Sequence, residues 1–435
     1  MQKKKMHLGW FMNFSRSTAW TSPCVLEKDA REWLNGDYHL DWIKAMERAC
    51  LDYAMLEDSS MVSDGYGGSM EADLKYSLYA PKGDPLSIAP VLAKATTSIG
   101  IISTASTSFY PPFLLARAIA TIDHIARGRA GWNIVTSSED RAAQNFGLER
   151  LYEHDERYDR ADEFVEVVEK LWSSWDPDAV VMDRETGTYV DHAKVHPINH
   201  RGRFFSVRGP LNVPRPPSGK PVYCQAGGSP RGREFAARHA DTILSASAGI
   251  ADMQEFRDDI RQRAKSAGRD PDDIKIMFIT APVLAGKQQE ADEKYEEMQH
   301  PTKAGVDIAL GHMGALTEID FTTIDPDQPF PELTTNGHRT TLEKFLKLGQ
   351  TPREAAGKWA IRYTDPSFVG TPDKVAAEMA RVMDEVGGDG FLFAAGGSRR
   401  GITEITDGLV GALQQLGRAR TSYDSDTLRG NLLAF

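Results

Sequence analysis

The chain predicts an α/β fold, a (β/α)8 TIM barrel with insertion segments, and three observations carry that reading. Short apolar runs, about eight of them, alternate with amphipathic helical stretches along most of the 435 residues. The runs are almost continuously apolar, as parallel strands buried on both faces must be. Polar residues (Ser, Thr, Asn, Asp) recur where the runs end, which is where a barrel of this kind builds its binding mouth. An open doubly wound sheet is the competing architecture, but no G-x-G-x-x-G turn follows the first strand. No Ser/Gly-rich or Pro-rich spacer divides the chain, so residues 1–435 are expected to form one barrel domain with insertions near 173–218 and 296–350.

The first strand is expected at His7–Asn13, short and mostly apolar. Residues 38–53 read as a helix because Trp42, Ile43, Met46, Cys50 and Tyr53 share one stripe. Residues 53–58 then read as a buried strand ending in the carboxylates Glu57 and Asp58. A helix over 86–95 leads to a strand at 99–103 that closes on Thr104, Ser106 and Thr107. Pro111-Pro112 opens a helix through Ile125, since proline suits a first helical turn. The Gly128-Arg129 turn feeds a strand at 131–136, whose end carries Asn133, Thr136 and Ser137. After Asp155 the residues Tyr158, Ala161, Phe164, Val165, Val168, Leu171 and Trp172 recur at helical spacing. A strand at 221–225 runs through a glycine turn into a helix ending at Ala240. A strand at 242–246, a helix at 252–267 and a strand at 274–283 follow. Residues 296–350 read as irregular, and a helix at 373–386 precedes the last strand, Gly390–Phe393.

Composition excludes several function classes. The net charge is −11 and no stripe gathers the Lys and Arg residues, so a nucleic-acid partner is not expected. The run Lys3-Lys4-Lys5 reads as a solvated tail. Cys24, Cys50 and Cys224 are odd in number and unrelated in spacing, which argues against a disulfide framework. Cys50, assigned to a helix, and Cys224, assigned to a strand, read as inert buried thiols. No apolar stretch approaches the ~20 residues needed to span a bilayer. No apolar signal core follows the N-terminus, so the cytoplasm is the expected compartment. His192, His196 and His200 repeat every four residues, but Pro197 breaks any helix there and no metal site is expected. Neither a zinc-type Cys/His pattern nor a G-x-S-x-G elbow is present.

The chemistry concentrates in two places. Ala226-Gly227-Gly228-Ser229-Pro230 joins a strand to a helix. Its glycines allow close approach of a ligand, and the helix start offers unpaired N–H groups with a partial positive charge. A phosphate fits there, with Ser229 as an added donor, although a plain strand-to-helix turn has the same residues. His154 and Tyr158 lie one helical turn apart on one face, so both can reach one phosphate or ribityl group, unless Tyr158 packs inward. Together these point to a phosphorylated cofactor at the barrel mouth. Asp58 is placed to accept hydrogen bonds from ligand hydroxyls or to cap the next turn. Thr104, Ser106 and Thr107 either offer hydroxyls or form the turn.

The wording of several segments resembles one family closely. They are Ala19-Trp20 with Pro23, Glu47-Arg48, Asp52-Tyr53 through Glu57-Asp58-Ser59, Ser103 through Thr107, Leu114 through His124, Gly128 through Ser137, Asn145-Phe146-Gly147, His200-Arg201-Gly202, Arg208 through Leu211, Gln225 through Ser229 with Gly232, Gly370-Thr371-Pro372 and Asp389-Gly390-Phe391. They resemble the bacterial-luciferase-like flavin monooxygenases, in the branch of nitrilotriacetate, dibenzothiophene-sulfone and long-chain alkane monooxygenases. The resemblance implies a (β/α)8 barrel that takes reduced FMN (FMNH2) from a separate NAD(P)H:flavin reductase. It also implies that dioxygen, the co-substrate, forms a C4a-peroxide on the flavin and that a small organic substrate is oxygenated. The cofactor then carries the hard chemistry while the protein binds, shields and orients. Carried over residue by residue, Gly228, Ser229, Tyr158 and His154 hold the phosphate. Asp58, Ser106, Asn133 and Ser137 line the ribityl chain and ring, with Thr136 adjacent. A homodimer or homotetramer is likewise implied.

Departures from the family bear on substrate. Relatives often carry a histidine pair just before the Ala-Trp, where this chain has Ser15 and Arg16. Arg16 either attracts an anionic substrate or faces solvent. His312 opens a stretch, 312–340, that matches relatives poorly, and it stands as a candidate active-site histidine. Ala394 through Ser398 replaces a bulkier, proline-containing ending. No relative's substrate is therefore carried over. Two competing readings keep the same fold: a deazaflavin-dependent oxidoreductase, and a non-catalytic flavin-binding protein. Retention of Asp58, Asn133, His154 and Tyr158 argues for catalysis.

Overall fold

Eight parallel strands close into a barrel, each bonded to its neighbours in chain order: β1 (His7–Asn13), β2 (Tyr53–Glu57), β3 (Gly100–Ser106), β4 (Ala130–Val135), β5 (Val222–Gln225), β6 (Thr242–Ser245), β7 (Lys275–Thr280) and β8 (Gly390–Phe393), which returns to β1. The computed structural model describes residues 4–435 apart from 18–19, 23–24 and 396. Lys3, Ala19, Pro23, Cys24 and Gly396 therefore lie outside the described residues.

Alternation along each strand decides what faces the lumen. Tyr53, Met55, Ile102, Val222, Cys224, Leu244, Met277 and Leu392 form one inner cluster, joined from below by Leu428 and Leu432 of the C-terminal segment. The residues between them, such as Trp10, Leu56, Ile101, Ile276 and Phe391, point outward into the helical layer. Outward-facing Trp132 and Tyr223 pack with Phe164, Leu171 and Trp172 in a second cluster. The same parity puts Glu57, Thr104, Ser106 and Asn133 on the inner face near the strand C-terminal ends.

The helical layer follows from apolar stripes and local capping. Helix α1 (Asp37–Arg48) buries Tyr38, Trp42, Ile43 and Met46. Helix α2 (Pro85–Ala95) starts at Asp84, whose carboxylate accepts from the Ser87 amide at 2.8 Å, with Pro85 in the first turn. Helix α3 (Pro112–Ala126) ends in a turn in which Arg127 and Gly128 have φ of 54° and 86°. Helices α4 (His154–Trp172), α5 (Pro230–His239) and α6 (Ile250–Ser266) continue the layer.

The structure differs from the sequence expectations in four places. The 38–53 helix stops at Arg48, and Cys50 sits in the following turn at φ 59° rather than in a helix. β3 extends through Ser106, so Thr104 and Ser106 belong to the strand itself. The 274–283 strand divides after Thr280, and Val283–Leu284 pairs instead with Val369–Gly370. Pro282 lacks the N–H that a continued ladder needs.

The fourth difference is the largest. Residues 296–350 are not irregular: they contain helices α7 (Lys303–Thr317) and α8 (Arg339–Leu348), followed by α9 (Pro352–Trp359) and, after the short strand, α10 (Pro372–Val386). Helices α7, α8 and α9 share a core of Val306, Leu310, Met313, Phe345 and Trp359. Val306, Ala309, Leu310 and Met313 recur at helical spacing in α7, but its glycines, poor helix formers, weaken that signal. A Cβ at Gly314 would lie 2.7 Å from the Gly65 carbonyl oxygen, and one at Gly311 would lie 2.9 Å from Leu78. The face of α7 that packs against residues 65–78 is therefore glycine, while Val306, Ala309, Leu310 and Met313 form its apolar stripe on the other side. Residues 173–218 carry two small antiparallel hairpins, Val180–Asp183 with Thr188–Val190 and His200–Arg201 with Ser206–Val207.

Candidate active site

Polar side chains converge at the C-terminal ends of β2 to β5. The β3–β4 register sets Thr104 opposite Asn133 and Ser106 opposite Val135. Asn133 donates from Nδ2 to Thr104 Oγ1 at 2.8 Å, and its Oδ1 is buried without a partner. Ser137, held at φ 58°, donates its hydroxyl to Ser106 Oγ at 2.7 Å. The Thr136 carbonyl accepts from the Ser108 hydroxyl at 2.7 Å, which ties the ends of β3 and β4 together.

Tyr158 does pack inward, yet its hydroxyl stays within the site. Its ring lies 5.3 Å from that of His154 and 5.6 Å from that of Phe235. The hydroxyl meets the side chains of Ser229, Gln225 and Thr136, and burial raises its pKa while Arg157 opposes the rise. Ser229 caps α5 by accepting from the Gly232 amide at 3.1 Å. Glycine is required at 232, because a Cβ there would lie 2.7 Å from Tyr158 Oη and 3.1 Å from Ser229 Oγ. A Cβ at Gly228 would meet Thr340 at 3.1 Å, so the start of α8 closes over the loop.

This corner is electropositive. The α5 N-terminus points its amides into it. Arg157 is 2% exposed, donates to the Tyr152 carbonyl at 2.9 Å and keeps Nε buried without a partner. Burial lowers its pKa, and Arg339 adds a second positive charge nearby. His154 contacts the Asp155 carboxylate through Nδ1 at 2.6 Å.

Asp58 lies one residue beyond β2, with a pKa pushed up to about 7 by burial first, then by Glu57 and Asp84, against the pull of Lys82. Glu57 is already taken: Lys82 Nζ donates to its two oxygens at 2.8 and 2.6 Å and to Ser59 Oγ at 2.8 Å.

The opposite wall of the mouth comes from the 76–82 loop and helices α7 and α9, while α8 begins at the cradle. The backbones of Ser15 and Lys82 form a β-bridge. Arg16 turns to neither solvent nor the lumen: it donates to the carbonyls of Ser17 at 3.0 Å, Tyr76 at 3.3 Å and Ser77, and burial lowers its pKa. His312 stacks on Tyr79 with ring centroids 5.1 Å apart and an interplanar angle of 18°. Its Nδ1 accepts from Trp359 Nε1 at 3.2 Å, which fixes the neutral tautomer with hydrogen on Nε2. Burial, helped by the Arg362, Lys82 and His338 charges, brings its pKa down to about 3.

The structure therefore gathers Ser106, Asn133, Thr136, Ser137, Tyr158, Gly228 and Ser229 around one corner, with His154 at its rim. Asp58 stands at the end of β2, and His312 on the facing wall. The sequence reading missed Gln225, Arg157, Arg339 and Thr340. Gln225 and Arg157 adjoin residues already singled out, and that adjacency was the available signal. Arg339 and Thr340 open α8, whose Leu342, Phe345 and Leu346 do recur at helical spacing, a signal passed over in reading 296–350 as irregular. His200, paired with Glu163 at 3.1 Å, and His196, 3.4 Å from Asp176, belong to the outer hairpin region.

The model of the luciferase-like monooxygenase family matches residues 6–390. The chain belongs to the luciferase-like monooxygenase family. Within that family it is 34% identical to a dibenzothiophene-sulfone monooxygenase of Rhodococcus erythropolis (strain XP) over 444 aligned positions, covering 99% of this chain and 97% of the relative. It is 34% identical to nitrilotriacetate monooxygenase component A of Aminobacter aminovorans, covering 99% and 96% of the two chains. The crystal structure of a riboflavin lyase with a modified FMN and riboflavin superposes with a TM-score of 0.89 at 32% identity, covering 99% of this chain and 96% of that one. Luciferase-like monooxygenases are flavin-dependent oxygenating enzymes, and this member shares their barrel.

Proposed function

We propose that the protein is the oxygenating component of a two-component system: it takes reduced FMN from a separate NAD(P)H:flavin reductase, uses dioxygen and transfers one oxygen atom to a small organic substrate. The observation that carries this reading is the cradle formed by the Ser229-capped start of α5, Gly232 and the Tyr158 hydroxyl, beside a buried and unpartnered Asn133 Oδ1. That donor set fits a phosphate followed by a polyol chain, and it sits in a family that is flavin-dependent. The component A name of one relative supports a separate source of reduced flavin.

In this reading Ser229, the first amides of α5 and Tyr158 Oη bind the phosphate, and Arg157 and Arg339 balance its charge. His154 closes the rim. Asn133, Ser106 and Ser137 receive the ribityl hydroxyls, and Asp58 approaches the ring. Reduced FMN supplies the electrons that activate dioxygen. Asp58, with its pKa raised to about 7, holds or releases a proton at Oδ near neutral pH. His312 stays neutral and offers Nε2–H as a donor. Helices α7 and α9 cover the wall opposite the cradle, the start of α8 covers the cradle loop, and together they keep water out.

Anaerobic titration with reduced FMN and reduced riboflavin tests the assignment. Tighter binding of reduced FMN than of reduced riboflavin is expected, because only FMN fills the phosphate cradle. Equal binding of the two, or preference for a reduced deazaflavin, overturns it.

A further inference from the structure

On the wall facing the proposed flavin cradle stands Arg362, a cation that pairs with no carboxylate among the described residues. The Ala281 amide donates to the Tyr363 carbonyl at 2.8 Å, and Thr364 Oγ1 donates to the Ala281 carbonyl at 2.8 Å. These bonds pin residues 363–364 to the C-terminal end of β7 and so place Arg362 at the barrel mouth. Its guanidinium carbon lies 4.0 Å from the Trp359 ring centroid and 4.4 Å from that of Tyr363. Nη1 donates to the Trp359 carbonyl at 2.7 Å. Nε is buried without a partner, and Nη2 bonds to no acceptor among the described residues. The Nε–Nη2 edge is the fork that grips a carboxylate or sulfonate with two parallel bonds.

Arg157 and Arg16 also keep Nε buried without a partner, but their Nη1 and Nη2 both go to backbone carbonyls, whereas Arg362 engages Nη1 alone. Lys82 is bound to Glu57, Arg16 to backbone carbonyls, Lys344 to the Ala246 carbonyl at 2.9 Å, and His338 lies 3.5 Å from Glu139. Among the described residues Arg362 forms no ion pair with a carboxylate. Tyr79, near enough to feel the Arg362 charge, is 7% exposed, and its hydroxyl is also buried without a partner. Buried donors left unpaired in this way are costly unless a ligand completes them. Trp359, Tyr363, Tyr79 and His312 supply aromatic surface beside them.

We propose that the substrate is an organic anion whose carboxylate or sulfonate is received by the Nε–Nη2 edge of Arg362 with the Tyr79 hydroxyl, while its body lies against these aromatic rings. The inference rests on the flavin monooxygenase reading for the position of the cofactor but tests a different residue. It makes Arg362 a specificity residue rather than a catalytic one.

Calorimetric titration of the FMN-loaded protein with benzoate, benzenesulfonate and uncharged benzamide reads the proposal out. At least one of the two anions should bind about ten-fold or more tightly than benzamide. Arg362→Gln should remove that advantage and leave benzamide unchanged. Arg362→Lys should restore part of it, because a point charge replaces a fork. Affinity for reduced FMN should be the same in all three proteins. Near-ultraviolet circular dichroism checks that each variant is folded, and the lysine variant carries the test if the glutamine variant is not. The proposal is overturned if benzamide binds as tightly as the anions, if no anion binds, or if Arg362→Gln keeps the anion preference. It is overturned also if Arg362→Gln weakens reduced FMN, since the arginine then serves the cofactor phosphate. Failure of reduced FMN to bind wild-type protein, with the anion preference still seen when the flavin-free protein is titrated, removes the flavin reading and leaves the anion site.

Discussion

Ser229 and Asp58 carry the sharpest single-residue consequences. Ser229→Asp places a carboxylate where the phosphate is proposed to sit, so affinity for reduced FMN should fall about ten-fold or more, with reduced riboflavin much less affected. Anaerobic fluorescence titration of both flavins checks this, and equal losses for the two would point to a disturbed α5 instead. Asp58 predicts a pH signature. Its carboxyl titrates near 3.8 when unfolded and about 7 when folded, so the folded state binds the extra proton between those values. Stability attributable to this group therefore falls as pH rises from about 4 to about 7. Asp58→Asn should stabilise the protein at pH 8 by as much as about 4 kcal/mol, at 1.36 kcal/mol for each pKa unit, and by nothing below pH 4. Urea unfolding midpoints at pH 4 and pH 8 decide it, and a gain independent of pH would assign the effect to packing. Residues such as Asn133 and Tyr158 were legible in the sequence because they sit at the ends of strongly periodic elements. Tyr79, Arg157 and Arg362 were not, because their surroundings exist only once distant segments meet.

At the scale of elements, legibility followed burial. Strands buried on both faces and helices with one apolar stripe announce themselves, and eight strands with their principal helices lie within a few residues of expectation. Helix α7 was missed although Val306, Ala309, Leu310 and Met313 recur at helical spacing, because Gly305, Gly311 and Gly314 are poor helix formers, and Gly311 and Gly314 pack against the 65–78 segment. The same fact yields a prediction. Gly314→Val puts a branched side chain where the Gly65 carbonyl oxygen stands 2.7 Å from the Cβ position. The 65–78 loop must move, which costs about 1–3 kcal/mol and opens the wall that holds Tyr79 and His312. Thermal unfolding should show the loss, and faster hydrogen exchange in residues 65–80 should locate it. A stability loss without that local change would contradict the account of α7 as the mouth's outer wall.

Across the whole molecule, the buried ion-pair closure and the proposed flavin site sit at opposite ends of the barrel, as the architecture allows. The lower end is closed by the C-terminal segment. Leu428 and Leu432 join the lumen cluster, and a Cβ at Gly100 would lie 2.5 Å from Leu428. Arg420 meets Asp52 at 2.8 Å, both side chains being 2% exposed or less, while Asp52 also accepts from the Leu8 amide at 2.8 Å. Removing one partner of such a buried pair strands the other charge, so Arg420→Ala should cost about 3–5 kcal/mol. Reduced-FMN affinity of the folded variant should be unchanged, because the pair lies at the far end from the cradle. Nothing in the sequence's periodicity marked this closure, since it depends on a short helix and an ion pair between residues hundreds of positions apart.

The central claim is that the barrel mouth binds reduced flavin and turns dioxygen toward a substrate. The most direct test loads the protein with reduced FMN without oxygen, mixes it rapidly with oxygenated buffer and follows absorbance. The account predicts a transient absorbing species that outlives the one seen with free reduced flavin, and a shorter lifetime in Ser229→Asp. Oxidation of bound flavin at the free-flavin rate, with no such transient, would contradict it.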